Sequence, residues 1–314
     1  MPELSKYHGL ISPKPELPLL GDFLFWAETE FESADLYFGH GTDNAWDEAV
    51  ALASFVLELP PDVDVAVMDQ ALTEPQREIL WSLVEQRILE KIPLPYLTNI
   101  AWFAGLKFYV DARVIIPRSA FAELIEQRFS PWLGGEPQHI LDLCTGSACM
   151  AIATAYAFPK AQIHASELSL DALEIAKKNL LLHNLEQRIQ LFHSDLFKEL
   201  PRQKYDLIIS NPPYVSTEEK QDLPEEYLAE PELALYSGED GLNLTRQILQ
   251  QAAGYLNKNG LLIIEVGNSE MSMRQSFPDL NIHWLPLERG GSGIFLMKAQ
   301  DLTAITMNLH IEER

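Results

Sequence analysis

The run Asn211-Pro212-Pro213-Tyr214 is where residue types point most directly to chemistry. It follows an apolar stretch, 205–210, that reads as a strand. Pro212 keeps Asn211 out of helical angles, and two consecutive prolines remove two backbone donors and stiffen the turn. The Pro212 carbonyl and the Asn211 side-chain oxygen then stand as rigid acceptors, matched to an amino group with two N–H donors. Tyr214 adds a flat ring for stacking on a planar group. The arrangement suits alkylation of an amide or aromatic amine nitrogen. Such a nitrogen is a poor nucleophile because its lone pair is delocalised, the resonance that gives peptide bonds rotation barriers of about 18–20 kcal/mol. Accepting from both N–H groups orients the nitrogen and favours the positive charge growing on it. In-line methyl transfer from a sulfonium donor then needs no covalent enzyme intermediate. Asn211, Pro212 and Tyr214 are therefore the candidate catalytic residues, and Pro213 joins them in the candidate substrate site.

Three upstream features fit a nucleotide-like donor. A strand runs into Asp142-Leu143-Cys144-Thr145-Gly146-Ser147-Ala148, where small residues let backbone amides approach a ligand. The next strand ends at Glu167, whose carboxylate can accept from both hydroxyls of a ribose. The third leads to Asp195-Leu196, where an acid can accept from an adenine amino group. Each feature alone has a plainer reading. The loop holds a single glycine, Glu167 also stands where it would cap the following helix, and Asp195 could simply end a strand. Cys144 and Cys149 read as reduced, partly buried thiols without the further ligands a metal needs.

The elements that must carry these residues alternate from about residue 138. Strands are expected at 139–143, 163–167, 189–192, 205–210, 261–266, 282–285 and 293–297, with helices at 148–157, 170–183 and 242–256. This is an α/β pattern: a seven-stranded, mostly parallel sheet covered on both faces. The connection 286–292 is too short for a crossover, so the last two strands should form an antiparallel hairpin. That is the Rossmann-like methyltransferase layout, with ligands at the C-terminal strand edge. Residues 1 to about 95 read as helical, with breaks at Gly39 and Gly41, a capping box at Thr73 and Gln76, and Pro93 and Pro95 closing the last helix. A β-hairpin is expected from Leu106, Phe108 and Val110 on one strand, Val114 and Ile116 on the other, and Asp111-Ala112 between. The organisation is thus a small helical domain (1–98), placed for substrate recognition, a β-hairpin linker (99–118) and an α/β domain (119–314) that resembles a methyltransferase domain.

Composition narrows the partner. The 314 residues carry 23 Lys and Arg against 46 Asp and Glu, a formal charge of −23. That is a poor match to phosphate backbones or an anionic membrane surface, so no sequence-specific nucleic-acid contact is expected. No apolar run approaches the roughly 20 residues of a membrane span. The N-terminus has no secretory pattern, and with two cysteines a reducing cytoplasm is the simplest compartment. The acidity concentrates in residues 1–100, with 18 acids and 5 bases, and in 215–232, with seven acids and Lys220 alone. The second stretch follows the Asn211–Tyr214 run directly. It is expected at the mouth of the substrate site, steering a basic partner.

The Asn211–Tyr214 run, set downstream of the Asp142 loop, resembles the S-adenosylmethionine-dependent amino methyltransferases, and within them the protein N(5)-glutamine methyltransferases. The resemblance covers nearly the whole chain. It implies S-adenosylmethionine as methyl donor, held by Asp142, Cys144, Thr145, Gly146, Ser147 and Ala148, with Glu167 at the ribose, Asp195 and Leu196 at the adenine edge, and Asn211 where donor and substrate meet. Ala148 departs from the family's usual glycine. The runs Glu230-Pro231-Glu232-Leu233-Ala234-Leu235 and Asp240-Gly241-Leu242 are family-like as well.

Two branches share this chemistry. One methylates the Gly-Gly-Gln glutamine of peptide-chain release factors. The other methylates a glutamine of the third large-subunit ribosomal protein. The stretches Tyr37 to Ala49, Tyr96-Leu97-Thr98-Asn99 and Ala101-Trp102-Phe103 resemble the second. After Ile116-Pro117-Arg118 the chain reads Ser119-Ala120-Phe121, where the release-factor branch has Pro-Glu-Thr. The implied partner is a basic ribosomal protein, free or in an assembly intermediate. Adenine amino methylation makes similar demands on the motif, but flipping a base also needs phosphate contacts that the charge disfavours. His40 to Asp43 reads as a turn between helices. Pro117-Arg118 either closes the donor site or lies on the surface.

Overall fold

The computed structural model describes residues 16–59 and 65–302. The chain divides into two compact units, Met1–Ile100 with Pro224–Ala229, and Ala101–Leu223 with Glu230–Arg314.

The first unit packs α1 (Leu20–Ser33), α2 (Ala45–Leu57), α3 (Glu74–Leu89) and the short α4 (Leu94–Thr98). Asn44 caps α2 by accepting from the Asp47 N–H at 2.9 Å. Thr73 and Gln76 form the expected capping box on α3. Pro93 begins α4 where α3 was expected simply to end. Leu20, Phe23, Phe31, Leu52, Leu80 and Val84 meet in the core. Inside it lies a charged cluster. Arg87, 1% exposed, donates to Glu48, to Glu226 at 3.1 Å and to the Tyr37 carbonyl at 2.9 Å. Burial raises the Glu48 pKa against the pull of Arg87. Losing one member of such a buried group costs roughly 3–5 kcal/mol.

In the second unit, β1 (Ile100–Phe103) and β2 (Leu106–Tyr109) form a two-stranded hairpin, and α5 (Phe121–Glu126) follows. The hairpin sits one strand earlier than the sequence pattern indicates. Val114 and Ile116 are buried but belong to no strand. The Ile116 N–H donates to the Glu230 carboxylate at 2.9 Å, and the Arg113 N–H to Asp111 at 3.1 Å. Side chains here replace the ladder.

The main elements are β3 (His139–Leu143), α6 (Cys149–Ala157), β4 (Gln162–Glu167), α7 (Leu170–His183), β5 (Ile189–His193), β6 (Tyr205–Ser210), α8 (Asn243–Ala252), β7 (Leu256–Glu265), α9 (Glu270–Ser276), β8 (His283–Trp284) and β9 (Ile294–Lys298). Among the described residues, seven strands pair in the order β5-β4-β3-β6-β7-β9-β8. The first five are parallel, and β9 runs antiparallel to both β7 and β8. The period of two sends Ile140, Leu207, Leu261 and Ile263 to one face and Leu141, Ile208, Leu262 and Ile264 to the other. Both faces are covered, which is why these strands read as continuous apolar runs. The helix expected over 242–256 stops at Ala252, and Leu256 already belongs to β7, paired with Tyr205.

Candidate active site

At the C-terminal edge of the parallel strands lies a cleft, where open α/β sheets bind their ligands. Its lining includes Cys144, Gly146, Glu167, Asp195, Leu196, Asn211 and Pro213. The sequence-predicted edges of β3, β4, β5 and β6 thus converge. Asp142, Thr145, Ser147, Ala148, Pro212 and Tyr214 do not line it.

The Asp142 loop is built by internal hydrogen bonds. The Thr145 hydroxyl donates to Asp142 at 2.5 Å, the Thr145 N–H to the Ser166 carbonyl at 3.0 Å, and the Ala148 N–H to the Thr145 carbonyl at 2.8 Å. Burial lifts the Asp142 carboxyl to about 7. Cys144, Gly146 and Ala148 all take left-handed angles, φ 57°, 54° and 64°. Glycine is free to do so; Cys144 and Ala148 are strained there. Both thiols are protonated, since burial pushes Cys149 up to about 12 and Cys144 further.

The cap of α7 is Ser169, which accepts from the Ala172 N–H at 3.2 Å, and not Glu167. Glu167 lines the cleft, and its Oε1 accepts from the Leu168 and Ser169 N–H groups, each at 2.9 Å, ahead of α7. Its Oε2 accepts from the Gly146 N–H at 2.9 Å, pinning the loop. Asp195 lines the cleft while pairing with Lys198 at 2.5 Å. Behind the loop, Asn179 is fully buried. Its side chain accepts from the Tyr109 N–H at 2.7 Å and donates to the Tyr109 carbonyl at 3.0 Å and the Ser147 carbonyl at 2.9 Å. The clue in the sequence was one asparagine among Ile175, Ala176 and Leu180 on the apolar face of a helix.

The Asn211 side-chain oxygen is buried, faces no hydrogen-bond partner, and belongs to a residue that lines the cleft. The Ser166 hydroxyl is buried and unpartnered beside the same space. Polar atoms left this way in an apolar cleft fit a ligand carrying its own donors and acceptors.

Two further segments, Arg113–Ile115 and residues 231–234, wall the cleft. Arg118 fastens them by gripping buried Glu230 with both guanidinium nitrogens, at 2.5 and 2.6 Å. Arg118 therefore shapes the cleft without lining it. This corrects the view of residues 215–232 as seven steering charges. Glu226 is consumed by Arg87 and Glu230 by Arg118, whereas Glu218, Asp222, Glu225 and Glu232 are exposed.

A mostly parallel sheet with an antiparallel end, carrying this cleft at its C-terminal edge, is the Rossmann-like methyltransferase layout. Residues 122–240 match the family described as methyltransferase small domain. The chain is 47% identical to proteins named ribosomal protein uL3 glutamine methyltransferase from Neisseria gonorrhoeae and Neisseria meningitidis serogroup B. Each match covers 91% of this chain, and 96% and 95% of the relatives. It belongs to that family. The catalytic domain of hMettl16, solved with an RNA hairpin, shares the fold at 14% identity and a TM-score of 0.51, covering 77% of this chain and 90% of that one.

Proposed function

We propose that this protein methylates the side-chain amide nitrogen of a glutamine in ribosomal protein uL3, in the cytoplasm. The observation that supports it is the unpartnered, buried Asn211 oxygen at the end of β6, in a cleft also lined by Glu167 and Asp195. Asn211 and the Pro212 carbonyl accept from the two amide N–H groups, Pro213 stiffens the turn, and Tyr214 supports the planar amide. Glu167 takes the ribose hydroxyls with the acceptor capacity its backbone bonds leave. Asp195 and Leu196 take the adenine, and the loop from Asp142 to Ala148 shapes the rest of the donor site.

S-adenosylmethionine supplies a methyl group on a sulfonium that leaves as a neutral thioether. The two acceptors hold the amide lone pair toward that carbon and stabilise charge on nitrogen as the C–N bond forms. The nitrogen then releases one proton to solvent. The exposed Glu218 and Asp222 supply the steering charge for a basic substrate, free or partly assembled.

The test is mass spectrometry of ribosomal proteins from cells lacking the chain, followed by add-back of purified enzyme and labelled donor. A single uL3 glutamine peptide should lose one methyl increment, about 14 daltons for CH₂, and regain it on add-back. An unchanged uL3 with loss elsewhere would redirect the substrate assignment.

A further inference from the structure

Asp240-Gly241-Leu242 and the loop after β7 have no part in the reaction as described so far, yet they meet directly behind Tyr214. The Ser269 hydroxyl, in a residue 3% exposed, lies 2.8 Å from the Tyr214 carbonyl and 3.2 Å from the Asp240 carbonyl. Gly241 has φ +77°, and a Cβ there would fall 2.1 Å from the Tyr214 carbonyl oxygen and 2.2 Å from the Ser269 hydroxyl. Gly267 has φ +44°, and its Cβ would fall 2.6 Å from the Tyr214 ring. Gly293 leaves no space for a Cβ against Gly267. The Asp240 side chain is held by both Arg246 guanidinium nitrogens and accepts from the Leu242 N–H at 3.1 Å. These backbone approaches are closer than any side chain permits, and a hydroxyl joins them.

We infer that Ser269 is a positioning residue. Its hydroxyl, bearing on the turn at Gly241, sets the height of the Tyr214 carbonyl and so the aim of the Asn211 and Pro212 acceptors. The inference rests on the proposed glutamine chemistry. Its logic is that of any preorganised site: two acceptors aimed at two N–H groups tolerate little displacement, because misplacement by about 1 Å can cost roughly a hundredfold in rate. Asn211 follows a sheet strand on its upstream side. On its downstream side the turn must be held by something else. Val215 bonds there to Leu235 and Ser237, and Ser269 completes the hold at Tyr214 itself.

The experiment compares wild type, Ser269→Ala and Ser269→Thr in single-turnover methyl transfer to unmethylated uL3, with donor affinity by calorimetry and melting temperature alongside. Ser269→Ala should lose about tenfold in the rate constant at saturating donor and substrate. Its donor Kd should stay within about twofold and its fold intact, and Ser269→Thr should recover most of the loss. An alanine variant as fast as wild type overturns the inference. So does one whose slowing is matched by lost donor affinity or stability, or one that threonine does not rescue. If wild type itself fails on uL3, the substrate reading fails instead.

Discussion

In the Glu167 half of the cleft the carboxylate already accepts three backbone N–H groups, whereas in the Asn211 half the amide oxygen is buried with no partner. The first half is held together by a side chain that lines it. The second carries an unsatisfied acceptor, which costs stability and is held in place by packing behind it. Donor-side residues should therefore report on stability and affinity together. Asn211 should report on rate alone.

The largest expected effect tests that division. Asn211→Ala removes an acceptor that bonds nothing in the free protein, so stability should hold or rise slightly. Single-turnover methyl transfer should fall roughly 10²–10³-fold, the scale for losing one preorganised transition-state contact. Calorimetry should find donor affinity little altered. A comparable loss of donor affinity would break the comparison by making Asn211 a donor residue first.

Glu167→Ala should do the reverse. It frees the Gly146, Leu168 and Ser169 N–H groups together and loosens the approach to α7. Denaturant unfolding should show a loss of roughly 2–3 kcal/mol, and donor affinity should fall at least about tenfold. A variant that loses affinity at full stability would mean the three backbone bonds contribute nothing to holding the loop.

Both halves were legible in the sequence to the extent that strand ends carry chemistry. Apolar runs ending at Asp142, Glu167, Asp195 and Asn211 put all four on one edge once the sheet is parallel. What stayed hidden was whatever depends on partners far along the chain. Val114 and Ile116 alternate like a strand, but Glu230 holds the Ile116 N–H, and nothing near residue 116 announces residue 230. Glu226 and Glu230 look like surface charge until Arg87 and Arg118 are seen against them. Leu256 continues the apolar spacing of α8, and its pairing with Tyr205, 51 positions away, makes it a strand residue instead.

A smaller effect comes from behind both halves and is read by pH. Glu265, buried at the end of β7 and bonded by Ser119, titrates near 7, burial being the cause. Its folded pKa is raised, so the native state binds the proton more tightly than the unfolded chain. This contribution is full below the unfolded value near 4.5 and is lost as pH rises toward 7. Asp142 acts in the same sense, while the lowered carboxyls of Asp206 and Asp240 act in the opposite one. Glu265→Gln keeps an acceptor for Ser119 and removes the titration. Relative to wild type it should gain about 2–3 kcal/mol between pH 5 and 8. A difference flat with pH would show that Glu265 does not titrate in that window.

The smallest effect concerns Ala148. At φ 64° an alanine bears a left-handed strain of about 1–2 kcal/mol that glycine would relieve. Its methyl group is also fully buried against the core beneath the sheet, which contributes about 0.8 kcal/mol. Glycine would further loosen the unfolded chain, at a cost of about 0.4–1 kcal/mol. These terms nearly cancel. Ala148→Gly should shift stability by less than about 1 kcal/mol and leave donor affinity within about twofold of wild type. That outcome would mean the loop is set by Glu167, Asn179 and the Thr145–Asp142 bond, with backbone freedom at position 148 of little consequence. A large gain in donor affinity would instead show that Ala148 holds the loop away from its best geometry, and that the Glu167 half of the cleft is also strained.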